Sequence, residues 1–432
     1  MADQLSVWLY GTLVAQIDQE RGRLRLTYTG DALATYDLGV PLLSLSLPLA
    51  PERYTHGLVR PFLDGLLPEG ESRQAVANDF DLLAEDTYGL IRALGRDCAG
   101  AIVIQPASEP APPEPTTLTA EPLSDMEIAE LVANLRSAPL GIGDRVRLSL
   151  AGVQEKLLLT RMPDGRWGRP VDGTPSTHIL KPEIDRFPNA VENEAFCMRV
   201  ARNLGLEVPR VETTTIGGRR LIVVERYDRI VHADGSLERI HQEDLCQATG
   251  ILPAKKYEED GGPSLRRVAE ILQATASPDS LETLLRAVTL NVVIGNGDAH
   301  GKNFSLLHDP SGRIRLAPLY DLVSTLVYGD DRLAMYIDNV HRTNKVTTDR
   351  IINEAARWGI SNRRAAQIID DLLDQIPDSV EAARLETEGL PPGIPKVAVS
   401  QLHRLRGVAG NAETVSNADP IDGGPPVSPG ER

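Results

Sequence analysis

The stretch from Asn296 to Ser324, NGDAHGKNFSLLHDPSGRIRLAPLYDLVS, constrains this chain more than any other. It carries Asp298, then Asn303 five residues later, then Asp321. Between the last two the pattern predicts a β-hairpin. Residues 304–307 form a short apolar strand, and Asp309-Pro310-Ser311-Gly312 are turn formers. Residues 313–317 alternate, with Ile314 facing opposite to Arg313 and Arg315. A hairpin goes out and returns, so Asp321 is expected to land beside Asn303. Two carboxylates, an amide, His300 and Lys302 then share one small space.

Phosphoryl transfer needs such a set: an Asp close to the attacking hydroxyl, and an Asn with a second Asp to hold Mg²⁺ against the ATP phosphates. Protein kinases space their catalytic Asp and metal-binding Asn by the same offset. Asp298 or Asn303 alone would read as a turn or cap residue after a helix stopped at Gly295 and Gly297. The whole arrangement, hairpin included, favours chemistry.

Four features upstream fall in a meaningful order. In LSLAGVQEKLLL, residues 148–159, two apolar runs flank Ala151, Gly152, Val153, Gln154, Glu155 and Lys156, a small-residue loop whose backbone N–H groups can meet phosphates. Lys181 closes the short strand of HILKPE, where a strand-borne lysine can neutralise phosphate charge. A helix over about 190–204 carries Glu192 and Glu194 in its first turns, and either could pair with Lys181. In LIVVERYDR, the apolar run 221–224 predicts a buried strand, after which Glu225, Arg226 and Tyr227 lead into the helical half and place backbone beside a purine. Taken singly, these are a hairpin turn, a solvated lysine, dipole-favouring acids and a linker. In sequence with Asp298, Asn303 and Asp321 they follow the order of a kinase.

Domain organisation agrees. Residues 1–105 read as a small mixed α/β subdomain, with strands before and after Gly11 and over 23–28, helices over 59–67 and from 72, a break at LLPEG (66–70), and a closing strand at 99–104. Residues 106–123 contain six prolines and are expected to form an extended linker. Ser124 and Glu127 signal a capping box that opens the larger domain, 124–407. This domain is strand-rich to about 227 and mostly helical after, with helical patterns over 264–276, 280–294, 348–375 and 395–405. Residues 408–432 have the composition of a disordered tail. The fold class expected is α+β: a two-lobed, protein-kinase-like fold, with a β-rich N-lobe and a helical C-lobe, preceded by the amino-terminal subdomain.

Composition bounds the rest. The formal net charge of −16 argues against non-specific nucleic-acid binding as the main activity. No apolar run reaches the ~18 residues of a membrane span, and the start, MADQLSVWLYG, is a poor signal peptide. The three cysteines, Cys98, Cys197 and Cys246, fit neither a metal spacing nor a disulfide framework. Together these features point to the reducing cytoplasm.

LSLAGVQEKLLL, HILKPE, VERYDR, RIHQEDLCQATGI, NGDAHGKNFSLL and LAPLYDLVST resemble the signature segments of the HipA-type toxin kinases, and LLPEG resembles their amino-terminal subdomain. The resemblance covers residues 1 to about 407. It implies a bacterial serine/threonine protein kinase, the toxin of a type II toxin–antitoxin pair. Ala151 to Lys156 would be the phosphate loop, Lys181 the phosphate-binding lysine, and Glu225, Arg226 and Tyr227 the adenine site. Asp298 would be catalytic. His300, Lys302 and Asn303 would line the phosphate and metal site, with Asn303 and Asp321 as Mg²⁺ ligands and Tyr320 beside the nucleotide. Ser149 would be an inactivating autophosphorylation site, since a phosphate there competes for the loop's donors. Gln242, Glu243 and Asp244 match a segment that is either structural or substrate-facing. Gly301 stands where many relatives carry a larger residue, and is expected to loosen the loop. The implied partners are a helix-turn-helix antitoxin, through which DNA is met indirectly, and a protein substrate of the aminoacyl-tRNA synthetase class, notably the glutamyl enzyme. Two other readings are a two-metal phosphohydrolase built on Asp298 and Asp321 and a catalytically idle corepressor scaffold.

Overall fold

The structure is a computed structural model and describes residues 4–112, 116–135, 150, 154–171, 173–275, 279–308 and 313–407. The amino-terminal part is built on an antiparallel sheet in which Leu5–Leu9 lies between Thr12–Glu20 and Ile102–Pro106, with Arg23–Tyr28 at one edge. Its two tight hairpins turn on Tyr10-Gly11 and Arg21-Gly22, each pair with positive φ at both residues, the backbone that suits two-residue connections. Helices His56–Asp64, Gly70–Asp79 and Thr87–Leu94 cover this sheet. The break at LLPEG is where the pattern places it. Helix Thr87–Leu94, capped by the Asp86 side chain on the Gly89 N–H, is not signalled by that pattern.

The second sheet runs Val211–Ile216, Arg219–Glu225, His178–Pro182, Leu157–Arg161, Trp167–Pro170, Ala120–Pro122. Alternation decides its packing. Leu221 and Val223 join Leu157, Leu159 and Leu180 under helix Asp125–Ala133, whereas Ile222 and Val224 face Val191 and Ala195 of helix Ala190–Asn203. A wholly apolar strand is thus buried on both faces. The capping box is formed: Ser124 Oγ accepts from the Glu127 N–H, and Glu127 returns a carboxylate to Ser124. The proline-rich segment is not a free spacer. Thr116–Thr117 pairs with strand Ser236–Arg239, and Ala120–Pro122 pairs with Trp167–Pro170.

The helical half packs helices Leu265–Thr275, Asp279–Ile294, Thr348–Arg357, Asn362–Glu386 and Gly393–Leu405 around one core that contains fully buried Trp358. The single helical pattern over 348–375 is in fact two helices, because Gly359 at φ 86 breaks the first and Ser361 caps the second by accepting from the Arg364 N–H. The predicted tail, 408–432, lies outside the described residues. So does the turn 309–312, but its two strands are present: Ser305–His308 pairs antiparallel with Ile314–Leu316, Leu306 opposite Leu316, and with His241–Asp244 on its other edge.

The amino-terminal sheet is joined to the rest by apolar packing of Leu158 and Ile179 and by a buried ionic network. Asp97 takes Arg229 Nη2 at 2.8 Å and Arg226 Nη1 at 3.4 Å. Asp228 takes Arg226 Nη2 at 2.9 Å, Arg229 Nη1 at 3.0 Å and the Gly100 N–H at 2.8 Å. Both arginines also donate to the Cys98 carbonyl. None of these side chains is more than 3% exposed. A second bracket centres on Glu243, which accepts from Ser44 Oγ, the Leu45 N–H and His308 Nε2.

Removing one member of a buried network leaves its partners charged and dry. Asp97→Ala is therefore expected to cost about 3–5 kcal/mol, read from urea unfolding. Burial opposes ionisation of Asp97, but Arg226, Arg229 and Arg239 outweigh it and hold its carboxyl below the usual range. The stabilisation is complete above about pH 4 and drains as acid protonates the group. Melting temperature should fall on acidification more steeply in the wild type than in Asp97→Asn.

Candidate active site

Lys181 sits on strand His178–Pro182, opposite Ile222 of the doubly buried strand. Its Nζ donates to Glu194 Oε1 at 2.8 Å and to Asp321 Oδ1 at 2.6 Å. Glu194, not Glu192, is therefore its helix partner; Glu192 accepts from Arg220 Nε at 3.0 Å instead. Burial opposes the charge on Lys181, but Asp321 and Glu194 hold its pKa above the usual range. Burial likewise pushes the Glu194 carboxyl up, and Asp321 adds to the effect against Lys181. Asp321 stays ionised: burial disfavours its charge, but Lys181, followed by Lys156, lowers its pKa. Its side chain keeps 39% exposure toward the cleft.

Asp321 has φ 57. A non-glycine residue in the left-handed region costs of order 1–3 kcal/mol and persists where the surroundings over-determine it. Here Tyr320 supplies the anchor: its hydroxyl donates to the Lys302 carbonyl at 2.6 Å, lies 2.7 Å from Ser305 Oγ, and its ring packs 5.7 Å from that of Tyr227. Ala317 N–H donates to the Ser305 carbonyl. The hairpin thereby returns the chain to the loop that carries Asn303.

That loop starts where helix Asp279–Ile294 stops at Gly295 (φ 69). Gly297 is obligatory, since a Cβ there would lie 2.1 Å from the Arg332 carbonyl. Asp298 receives the Tyr257 hydroxyl on Oδ1 at 2.8 Å, and its N–H donates to Asn296 Oδ1. Asn303 donates Nδ2 to the Asp298 carbonyl at 2.9 Å, which turns its amide so that Oδ1 is the atom left for a cation. An amide oxygen and an ionised carboxylate at a lysine-lined cleft suit a hard, oxygen-seeking ion such as Mg²⁺. Burial, then Lys256, pushes the His300 imidazole down to about 3, so it is neutral, and its ring stands edge-on to Tyr257 at 5.2 Å.

Lys156 is buried, and burial followed by Lys181 lowers its amine to about 8. It brings further positive charge to the same cleft. Gln154 and Glu155 precede it, half-buried; Ser149, Ala151, Gly152 and Val153 lie outside the described residues.

Three expectations change. The Arg226 side chain is committed to Asp97 and Asp228 rather than to a nucleotide. The Tyr227 hydroxyl itself donates to Gln242 Oε1. Lys302 donates to Asp244 Oδ2 at 2.5 Å and to the Gly65 carbonyl at 3.3 Å, which makes it a strut to the amino-terminal subdomain rather than a phosphate ligand. Gly301 does not loosen the loop: a Cβ there would meet Pro263 Cδ at 2.8 Å and Cys246 Sγ at 3.1 Å, and its N–H donates to the Lys256 carbonyl. Gln242, Glu243 and Asp244 are all buried and structural. Tyr257 is the partner of Asp298 that the sequence hides, because no motif or period marks it and only the fold-back of residues 253–260 brings it to Asp298.

A β-rich lobe and a helical lobe, with a lysine–glutamate pair across a cleft from an Asp-loop-Asn and a metal-competent Asp, define a protein-kinase-like fold. The model of the HipA-like C-terminal domain matches residues 148–380, and that of the HipA N-terminal domain matches residues 5–105. The chain belongs to the HipA family. It is 38% identical to the protein Y4mE of Sinorhizobium fredii, over 89% of this chain and 93% of that one. It is 33% identical to the serine/threonine-protein kinase toxin HipA of Shewanella oneidensis, over 86% and 88%. Among solved structures it resembles that of the S. oneidensis MR-1 toxin–antitoxin system HipA and HipB with operator DNA, at TM-score 0.79 and 26% identity, covering 94% of this chain and 96% of that one.

Replacing Gly301 should be costly. Gly301→Val is expected to lose about 1–3 kcal/mol by overpacking and to lower phosphoryl transfer through the displaced loop, with Gly301→Ala milder in both; urea midpoints and initial rates check it.

Proposed function

We propose that this chain is an ATP-dependent serine/threonine protein kinase, with Asp298 as its catalytic residue, and that it acts as the toxin of a toxin–antitoxin pair. The observation that carries this reading is the Lys181 amine held between Glu194 and Asp321, in one cleft with the Asp298–Asn303 loop. Asp298 orients the acceptor hydroxyl and takes its proton as the γ-phosphoryl group of ATP is transferred in line. Lys181 and Lys156 meet the phosphate oxygens, and Ala151 to Lys156 make the phosphate loop. Asn303 Oδ1 and Asp321 would hold Mg²⁺, which when bound neutralises charge on the phosphates. The backbone of Glu225–Tyr227 borders the adenine.

The partner is a small helix-turn-helix antitoxin, and DNA is met through it, in keeping with a net charge of −16. The protein substrate is of the aminoacyl-tRNA synthetase class, with the glutamyl enzyme favoured, and its phosphorylation halts translation. Ser149 is the self-inactivating site, and the cytoplasm is the place of action. No described helix is long and apolar enough to cross a membrane.

With radiolabelled ATP, in lysate from a strain lacking the gene, the wild type should label protein. Asp298→Asn should fall about 10²–10⁴-fold while still binding ATP, and equal labelling by both refutes the assignment. By calorimetry, Asp321→Ala should lose Mg²⁺-dependent ATP binding. Ser149→Ala should remain active after incubation with ATP, and mass spectrometry that finds no phosphate on wild-type Ser149 removes the regulatory role.

A further inference from the structure

The Tyr257 hydroxyl donates to Asp298 Oδ1 at 2.8 Å. Two short 3₁₀ turns, Pro253–Lys255 and Glu258–Asp260, flank that tyrosine. The strap they form is pinned to separate parts of the molecule. The Lys256 carbonyl accepts from the Gly301 N–H at 3.1 Å, inside the loop that carries Asp298 and Asn303. Lys256 Nζ pairs with Glu69 at 3.2 Å, in the LLPEG segment of the amino-terminal subdomain. Glu258 Oε2 accepts from the Tyr336 N–H at 2.7 Å, on strand Arg332–Ile337.

The backbone of Tyr257 is itself fixed. Its carbonyl accepts from the N–H groups of Asp260 and Gly262 at 3.0 and 2.9 Å. Only glycine lets the chain turn this tightly at 262: a Cβ there would lie 2.4 Å from the Lys255 carbonyl and 2.7 Å from that of Tyr257. The Tyr257 ring stands edge-on to His300 at 5.2 Å. A hydroxyl seated on a catalytic carboxylate is either a plug, standing where the acceptor hydroxyl must come, or a brace. A plug has to leave in every turnover. This ring is held by a neighbouring ring on a backbone bonded on both sides, which is the fixity of a brace.

We infer that Tyr257 is a positioning residue. Its O–H sets the plane of the Asp298 carboxylate, so that the acceptor hydroxyl meets the carboxylate while in line with the γ-phosphate. The inference rests on the kinase reading. In the transfer the acceptor O–H bond breaks and its proton passes to Asp298. A bond forms from that oxygen to the γ-phosphorus, and the bond from phosphorus to the β–γ bridging oxygen breaks to release ADP. Tyr257 donates its hydrogen bond and transfers no proton. Because the strap is also tied to Glu69, the aim of Asp298 is set in part from the amino-terminal subdomain.

Tyr257→Phe removes one oxygen and keeps the ring. Initial rates of protein labelling are measured across concentrations of γ-labelled ATP, with the full chain and lysate from a strain lacking the gene. The maximal rate should fall about tenfold to a hundredfold, while the half-saturating ATP concentration stays within about twofold of wild type. In the Asp298→Asn background the same change should cost less than about twofold, because no base is left to position. General damage to the cleft would instead weaken ATP saturation and multiply the loss in the double variant; either result overturns the inference. So does a maximal rate that is unchanged, or one that rises, which marks a plug. Labelling that depends on Asp298 but not on Tyr257 defeats the inference alone. If wild type labels no better than Asp298→Asn, the kinase reading fails and the inference falls with it.

Discussion

The two arginines and two aspartates at the junction of the subdomains set the terms for everything else. Arg226 and Arg229 belong to the segment that leaves the β-rich lobe, and Asp97 belongs to the amino-terminal subdomain. Charges buried this deeply repay their desolvation only when every partner is in place. The Cys98 carbonyl, the Gly100 N–H and Ser176 complete the set. The segment that leaves the β-rich lobe is thus clamped from behind by a subdomain with its own sheet. The Glu243 bracket and the Lys302–Gly65 bond tie the same subdomain to the loop bearing Asn303 and the strand after it. A protein with those three ties holds both halves of its cleft against one common body.

Within the cleft, one ammonium serves two carboxylates. Lys181 cannot fully neutralise Glu194 and Asp321 together, and the exposed face of Asp321 is where a further cation would be met. Lys156 adds a second cation to the same cleft, so the two carboxylates are not left to Lys181 alone. The neutral His300 and the amide of Asn303 add polarity without adding a competing charge.

Much of this was legible in the chain. The alternation of residues 23–28, the capping box at Ser124 and the hairpin after Asn303 are local patterns, and local physics decides them. Lys181 and Glu194 were visible as types in the correct order, but Glu192 could not be set aside from spacing alone. Helix phase and the position of Arg220 decide that choice. Arg226 misled because it stands where the backbone of a nucleotide site is expected, while its side chain answers to Asp97, which lies far back in sequence. Gly301 misled because a glycine looks permissive until Pro263 is seen against it. Tyr257 gave no signal, since its meaning depends on a fold-back that no period encodes. Each miss concerns a partner distant in sequence, where pairing is set by tertiary packing.

The left-handed backbone of Asp321 narrows the alphabet at that position to almost nothing. Glycine would accept the torsion but bring no charge, and asparagine would accept it with a neutral amide. Glutamate has the charge but neither the short reach nor the ease with that backbone. The chirality of the chain and the electrostatics of the cleft impose two independent filters on residue 321, and aspartate is the side chain that passes both.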